Sequence, residues 1–227
     1  MLTVQPLLKM RARICRLNAE AAVRRLLHLD KPNQSGYVSG NSSKTDRIEV
    51  VDANGKPTSD VRKRQDIEES GDLHATVHLL LFNFRGELLG QRRSPKKRSS
   101  AGKISQSVGG HVKRHYTAER TLIEEADEEL GVKLTDYQRV AQFPYSSNLG
   151  KNREIVTLFS GRHSGPFQIN YSEVDWAEFF DPRLVAALSR EAPKLFAPSF
   201  LTDLTHLDAA LRASGFSPKL PQSPTPA

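Results

Sequence analysis

Gly109-Gly110-His111-Val112 opens the segment that decides the fold, and Glu124-Glu125-Ala126-Asp127-Glu128-Glu129-Leu130-Gly131-Val132 closes it. The second run reads as the end of a helix over 117–130. Gly131 stands just past the last apolar residue, where a left-handed C-terminal cap belongs. On such a helix Glu125 lies three residues from Glu128 and four from Glu129, so the three carboxylates converge on one face. Like charges that close repel, and water, cations or a metal must neutralise them. Two readings follow: a solvated acidic helix face, or a site for a hard divalent ion such as Mg²⁺, which bridges carboxylates to substrate phosphates. The spacing alone does not choose between them.

Upstream of this helix the charge reverses. Arg92, Arg93, Lys96, Lys97, Arg98, Lys103, Lys113 and Arg114 follow one another with no acid between Glu87 and Glu119. The whole chain of 227 residues carries a net charge of +7, which suggests a polyanionic partner. Residues 1–31, however, hold seven basic residues against Glu20 and Asp30, leaving only +2 for everything beyond. There is no aromatic-interleaved basic motif or zinc-finger spacing, so no specific nucleic-acid partner is expected. The single cysteine, Cys15, excludes a disulfide-stapled scaffold and a cysteine zinc site.

Residues 1–45 read as a basic N-terminal extension, an amphipathic Arg-rich helix followed by a Ser-, Gly- and Asn-rich linker. No run of about 18 apolar residues predicts a membrane span. A cytoplasmic location is expected, with an organellar transit peptide as the alternative. Residues 215–227 read as a Pro-rich disordered tail. The folded body spans 46–214. Strands are expected over 47–51, 73–84, 87–91, 103–108, 138–145, 154–160 and 174–180, and helices over 117–130, 182–190 and 198–213. Many strands and few helices predict an α+β fold with a mixed sheet covered by helices. A homodimer is left open.

At Gly110 and Glu124–Val132 the chain resembles the Nudix hydrolases, whose signature runs from a glycine through a glutamate six residues on to Arg-Glu-apolar-x-Glu-Glu-x-Gly-apolar. With Gly131 on the final glycine, Glu125, Ala126, Glu128, Glu129 and Val132 fall into register without a gap. The resemblance implies an α/β/α sandwich with a loop-helix-loop metal site, in which Glu125, Glu128 and Glu129 bind Mg²⁺ or Mn²⁺. Two positions depart from the signature: Tyr116 replaces its early glutamate and Glu124 its arginine. Arg120, four residues before Glu124, can offset that charge in part.

The likeness extends over about 46–207. His74, the run Leu88-Leu89-Gly90-Gln91-Arg92-Arg93-Ser94, Ser107-Val108-Gly109-Gly110-His111 and Phe196-Ala197-Pro198-Ser199-Phe200 resemble the branch containing isopentenyl diphosphate isomerase. That isomerase needs a cysteine where this chain has Gly109, and one of its histidine metal ligands falls on Ile67. Glu154 aligns with a functional glutamate of the branch, which implies a further metal ligand or the base that activates water; the alternative is an exposed strand-edge acid. For His74 a hydrogen-bonded structural role is expected, with ligation as the alternative, and Trp176 is expected in the core. Catalysis is thus assigned to Glu128, Glu129 and Glu154, and substrate contact to Arg92, Arg93, Lys97, Gly110 and His111. The alternative for the basic run is a solvated charge stretch.

These residues imply a metal-dependent pyrophosphohydrolase acting on a nucleoside diphosphate derivative or a related phosphorylated metabolite. A diphosphate-binding module weakened in catalysis is the alternative, motivated by Tyr116 and Glu124. The isomerase stands last, for want of its thiol. Specificity is expected to reside in loops 146–151 and 162–168.

Overall fold

The computed structural model describes residues 47–213 except 98 and 148–151. The N-terminal extension and the Pro-rich tail therefore lie outside the described residues, as does Arg98. Nine strands and four α-helices build the described part: β1 (Arg47–Val51), β2 (Pro57–Lys63), α1 (Arg64–Ser70), β3 (Leu73–Phe82), β4 (Leu88–Arg93), β5 (Ile104–Ser105), β6 (Val108–His111), α2 (Ala118–Leu130), β7 (Tyr137–Ser146), β8 (Arg153–Arg162), β9 (Val174–Phe180), α3 (Pro182–Glu191) and α4 (Pro198–Ala213).

β3 is the axis of the mixed sheet. It runs parallel to β8 from Leu73 beside Arg153 to Phe82 beside Arg162, and antiparallel to β6, with Thr76 opposite His111 and Val77 opposite Gly110. Its sequence is nearly continuous in apolar residues because both faces are covered. Val77, Leu79 and Leu81 pack with Leu122, Ala126 and Leu130 of α2. Leu80 packs on the other side with Leu184, Val185 and Leu188 of α3, Phe200 of α4 and Trp176. The result is the α/β/α sandwich implied by the sequence.

α2 begins where expected: the Thr117 hydroxyl accepts from the Arg120 backbone N–H at 3.1 Å, a side-chain N-cap. It stops at Gly131, whose φ of 65° is left-handed and easily adopted only by glycine. Three expectations are corrected. The strand expected over 103–108 divides into β5 and β6, because the Ser107 hydroxyl turns inward, donating to Leu89 C=O at 2.7 Å and accepting from Leu81 N–H at 2.9 Å. β2 and α1 were not expected at all. β2 is exposed along most of its length, and Ile67 is the residue of α1 that is fully buried, so neither carries the periodicity that announces an element.

Candidate functional site

The register of β3, β6 and β8 creates two clusters side by side. Gly110 and His111 are consecutive on β6 and so project to different sides of the strand. On the Gly110 side lies α2. A Cβ at Gly110 would stand 2.3 Å from the Glu125 carboxyl carbon, so only glycine lets that side chain lie against the strand. Burial, then repulsion from Glu129 and Glu128, pushes the Glu125 carboxyl up to about 8. Glu129 is buried and also raised, chiefly by desolvation, although Gln91 Nε2 donates to its Oε2 at 3.0 Å and Lys97 and Arg93 oppose the shift. Glu128 is the exposed member, with Lys113 Nζ 3.8 Å from its Oε1.

Facing these acids are cations. Arg93 is largely desolvated, which lowers its pKa, and its field reaches Glu129 and Glu154. Its Nε donates to Ser99 C=O at 3.1 Å. Lys97 pairs with Glu173; burial first, then Arg93, lowers its ammonium to about 8. Arg64 joins the group from α1, acting electrostatically on Glu125, Lys97 and His111. Arg92 does not. Its Nε donates to Gly102 C=O at 3.1 Å and its Nη1 lies 3.5 Å from Asp175, because adjacent residues of β4 alternate in direction.

On the His111 side, His74 and His111 stack with ring centroids 5.0 Å apart. A nitrogen of each and an oxygen of Glu154 lie within 4.8 Å of one another. His74 is fully buried; its Nδ1 bonds Asp72 C=O at 3.0 Å while Nε2 has no hydrogen-bond partner. Burial, with Arg64 next in importance, holds His111 well below the usual histidine range. A neutral His111 imidazole and the orphaned Nε2 of His74 suit a cation. Glu154, expected on an exposed edge in one reading, is 7% exposed. Its Oε2 accepts from Thr76 Oγ1 at 3.1 Å, and Asn152 Nδ2 donates to Oε1.

Tyr116 and Glu124 are drawn into a small cluster by Arg120. Its guanidinium stacks 3.7 Å from the Tyr116 ring centroid, and its Nε donates to Glu124 Oε1 at 3.1 Å.

The sequence matches the NUDIX domain over residues 72–200, and the chain belongs to that family. Within it, the chain lies in the branch of isopentenyl-diphosphate isomerase. It is 28% identical over 177 residues to the isopentenyl-diphosphate Delta-isomerase of Shigella flexneri serotype 5b, covering 76% of this chain and 97% of the relative. The corresponding protein of Salmonella paratyphi B is 31% identical over 141 residues, covering 59% and 78%. Among solved structures, a Deinococcus radiodurans protein matches with a TM-score of 0.58 at 24% identity, over 74% of this chain and 98% of that one. A MutT protein of Methanosarcina mazei matches with 0.52 at 20%, over 63% and 95%. Among the described residues, no helix is long and apolar enough to cross a membrane.

Proposed function

We propose that this chain is a divalent-metal-dependent Nudix pyrophosphohydrolase that cleaves a diphosphate linkage in a nucleoside diphosphate derivative or a related phosphorylated metabolite. The observation carrying this reading is the electrostatics of α2: Glu125 is raised to about 8 by burial and by Glu129 and Glu128. Hard oxygen donors in mutual repulsion on one helix fit Mg²⁺ or Mn²⁺. The imidazoles and carboxylate of His74, His111 and Glu154 form a second set, better suited to Mn²⁺ than to Mg²⁺.

Glu125, Glu128 and Glu129 would hold the cation, which would supply charge neutralisation to the diphosphate and a lowered pKa for the attacking water. Arg93 clamps a phosphate bidentately, and Lys97 adds a point charge. Glu154 accepts the proton of water as its oxygen attacks phosphorus, the bridging P–O bond breaks, and the second phosphate departs. Gly110 gives Glu125 the room this requires.

Isomerase activity is disfavoured by Gly109. The thiol that the isomerase uses is missing there, and a Cβ would stand 2.6 Å from Gln106 Nε2. The test is a panel of nucleoside diphosphate derivatives with Mg²⁺ or Mn²⁺, assayed for phosphomonoester release in wild type and Glu128→Gln. Turnover falling about 10- to 100-fold in the variant is expected. Unchanged turnover overturns the metal assignment, saturable binding without turnover favours the binding module, and rearrangement of isopentenyl diphosphate favours the isomerase.

A further inference from the structure

Behind Glu154 the sheet carries a polar line whose inner members, His78 and its partner Asp203, have no part in the proposed chemistry. His74, Thr76 and His78 alternate along β3 and so share one of its faces, where Leu80 continues the line as a core residue. His78 and Asp203 are 5% and 0% exposed. Both Asp203 carboxylate oxygens lie 2.9 Å from His78 Nδ1, so Nδ1–H donates to a carboxylate brought 125 residues along the chain by α4. That bond fixes the ring and turns Nε2 toward Glu154, whose Oε2 stands 4.0 Å away. Glu154 Oε2 is thereby set between Thr76 Oγ1 and the His78 edge.

Burying an imidazole and a carboxylate contributes little net stability, and apolar residues would fill this part of the core as well. What the pair supplies is direction. A carboxylate that orients an imidazole, which in turn faces a working group, is the usual construction behind metal ligands and bases.

We propose that His78 and Asp203 are positioning residues for Glu154: Asp203, from the last described helix, locks the His78 ring, and that ring holds the Glu154 carboxylate toward His74 and His111. The catalytic consequence rests on the pyrophosphohydrolase reading; the contact does not. The full chain is therefore examined by two independent readouts. Long-range ¹⁵N–¹H correlation spectra of the His78 ring should show a protonated Nδ1, with the Nε2 resonance displaced in Glu154→Gln; an unmoved ring overturns the proposal. In phosphomonoester release, Asp203→Asn should lower kcat about tenfold with KM within about threefold, and should add nothing when combined with Glu154→Gln. Full additivity of the two losses overturns the coupling. His78→Gln provides the same comparison if Asp203→Asn does not fold. Absence of turnover in wild type removes the hydrolase reading, while the ring spectrum still decides the contact.

Discussion

The two clusters flanking β6 are built on opposite principles. On α2, Glu125, Glu128 and Glu129 repel one another, and two of them are raised by desolvation. Around Glu154, hydrogen bonds from Thr76 and Asn152 fix the carboxylate, and the neighbouring His111 is held neutral. The first cluster carries unbalanced charge; in the second, two ring nitrogens and a carboxylate oxygen are already held within 4.8 Å of one another. The unbalanced set calls for charge, whereas the balanced set sets direction.

Removing one acid from the unbalanced set should have the largest effect. Glu129→Gln is expected to lower turnover by about a hundredfold or more, close to 3 kcal/mol at 1.36 kcal/mol per decade. The same variant, isosteric and uncharged, should be as stable as wild type or more so in chelator, because it relieves a buried repulsion. Steady-state kinetics beside thermal melts check this; a loss of activity that merely follows a loss of stability would refute it.

The next effect is a pH dependence carried by Glu125. Its folded pKa, about 8, exceeds the ordinary 4.5, so the native state binds more protons than the unfolded chain between those values. Stability in chelator must therefore fall as pH rises through that window. A net effect of about 1–2 kcal/mol, at about 2–4 °C per kcal/mol, is expected after screening. Glu125→Gln should flatten the slope, and saturating Mg²⁺ should raise Tm more at pH 8 than at pH 5. A slope unchanged in the variant would break the contrast between the clusters.

The balanced cluster should respond more mildly and more selectively. His74→Ala is expected to weaken Mn²⁺ affinity by about tenfold while leaving Mg²⁺ affinity within about twofold, since imidazole favours the softer ion. Calorimetric titration with each ion measures it. Equal losses for both ions would mean that the clusters share one site.

How much of this could be read from the chain depends on how local the cause is. α2, its Thr117 cap and its Gly131 stop follow from neighbours in sequence, and the three carboxylates on one face follow from helix geometry alone. The fate of the basic run does not: Arg92 and Arg93 are adjacent in sequence, yet strand alternation sends one to Asp175 and the other toward Glu129. Arg64 was missed with the short α1, whose buried Ile67 is too little apolar signal to announce a helix. The hydrogen-bonded setting expected for His74 is present in the Nδ1 contact to Asp72 C=O, whereas its orphaned Nε2 depends on β6 and β8 arriving beside β3. His78 and Asp203 left a faint mark, one histidine inside Val77-His78-Leu79-Leu80, but their pairing spans 125 residues and has no local signature.

The smallest expected effect concerns the two departures from the family signature. Read from sequence, Glu124 either strengthens the metal site or weakens catalysis. In the fold its carboxylate pairs with Arg120, which also covers the Tyr116 ring, so the three replace repulsion with a surface cluster of their own. The Arg120 and Glu124 side chains are 57% and 35% exposed, which limits their ion pair to about 0.3–0.5 kcal/mol. Glu124→Gln should therefore change Mg²⁺ affinity and turnover by less than about twofold and lower stability by a few tenths of a kcal/mol, roughly the loss of one such pair. Metal titration and melts of the variant against wild type measure both. A tenfold fall in Mg²⁺ affinity would place Glu124 among the working carboxylates, and the unbalanced cluster would then contain four acids.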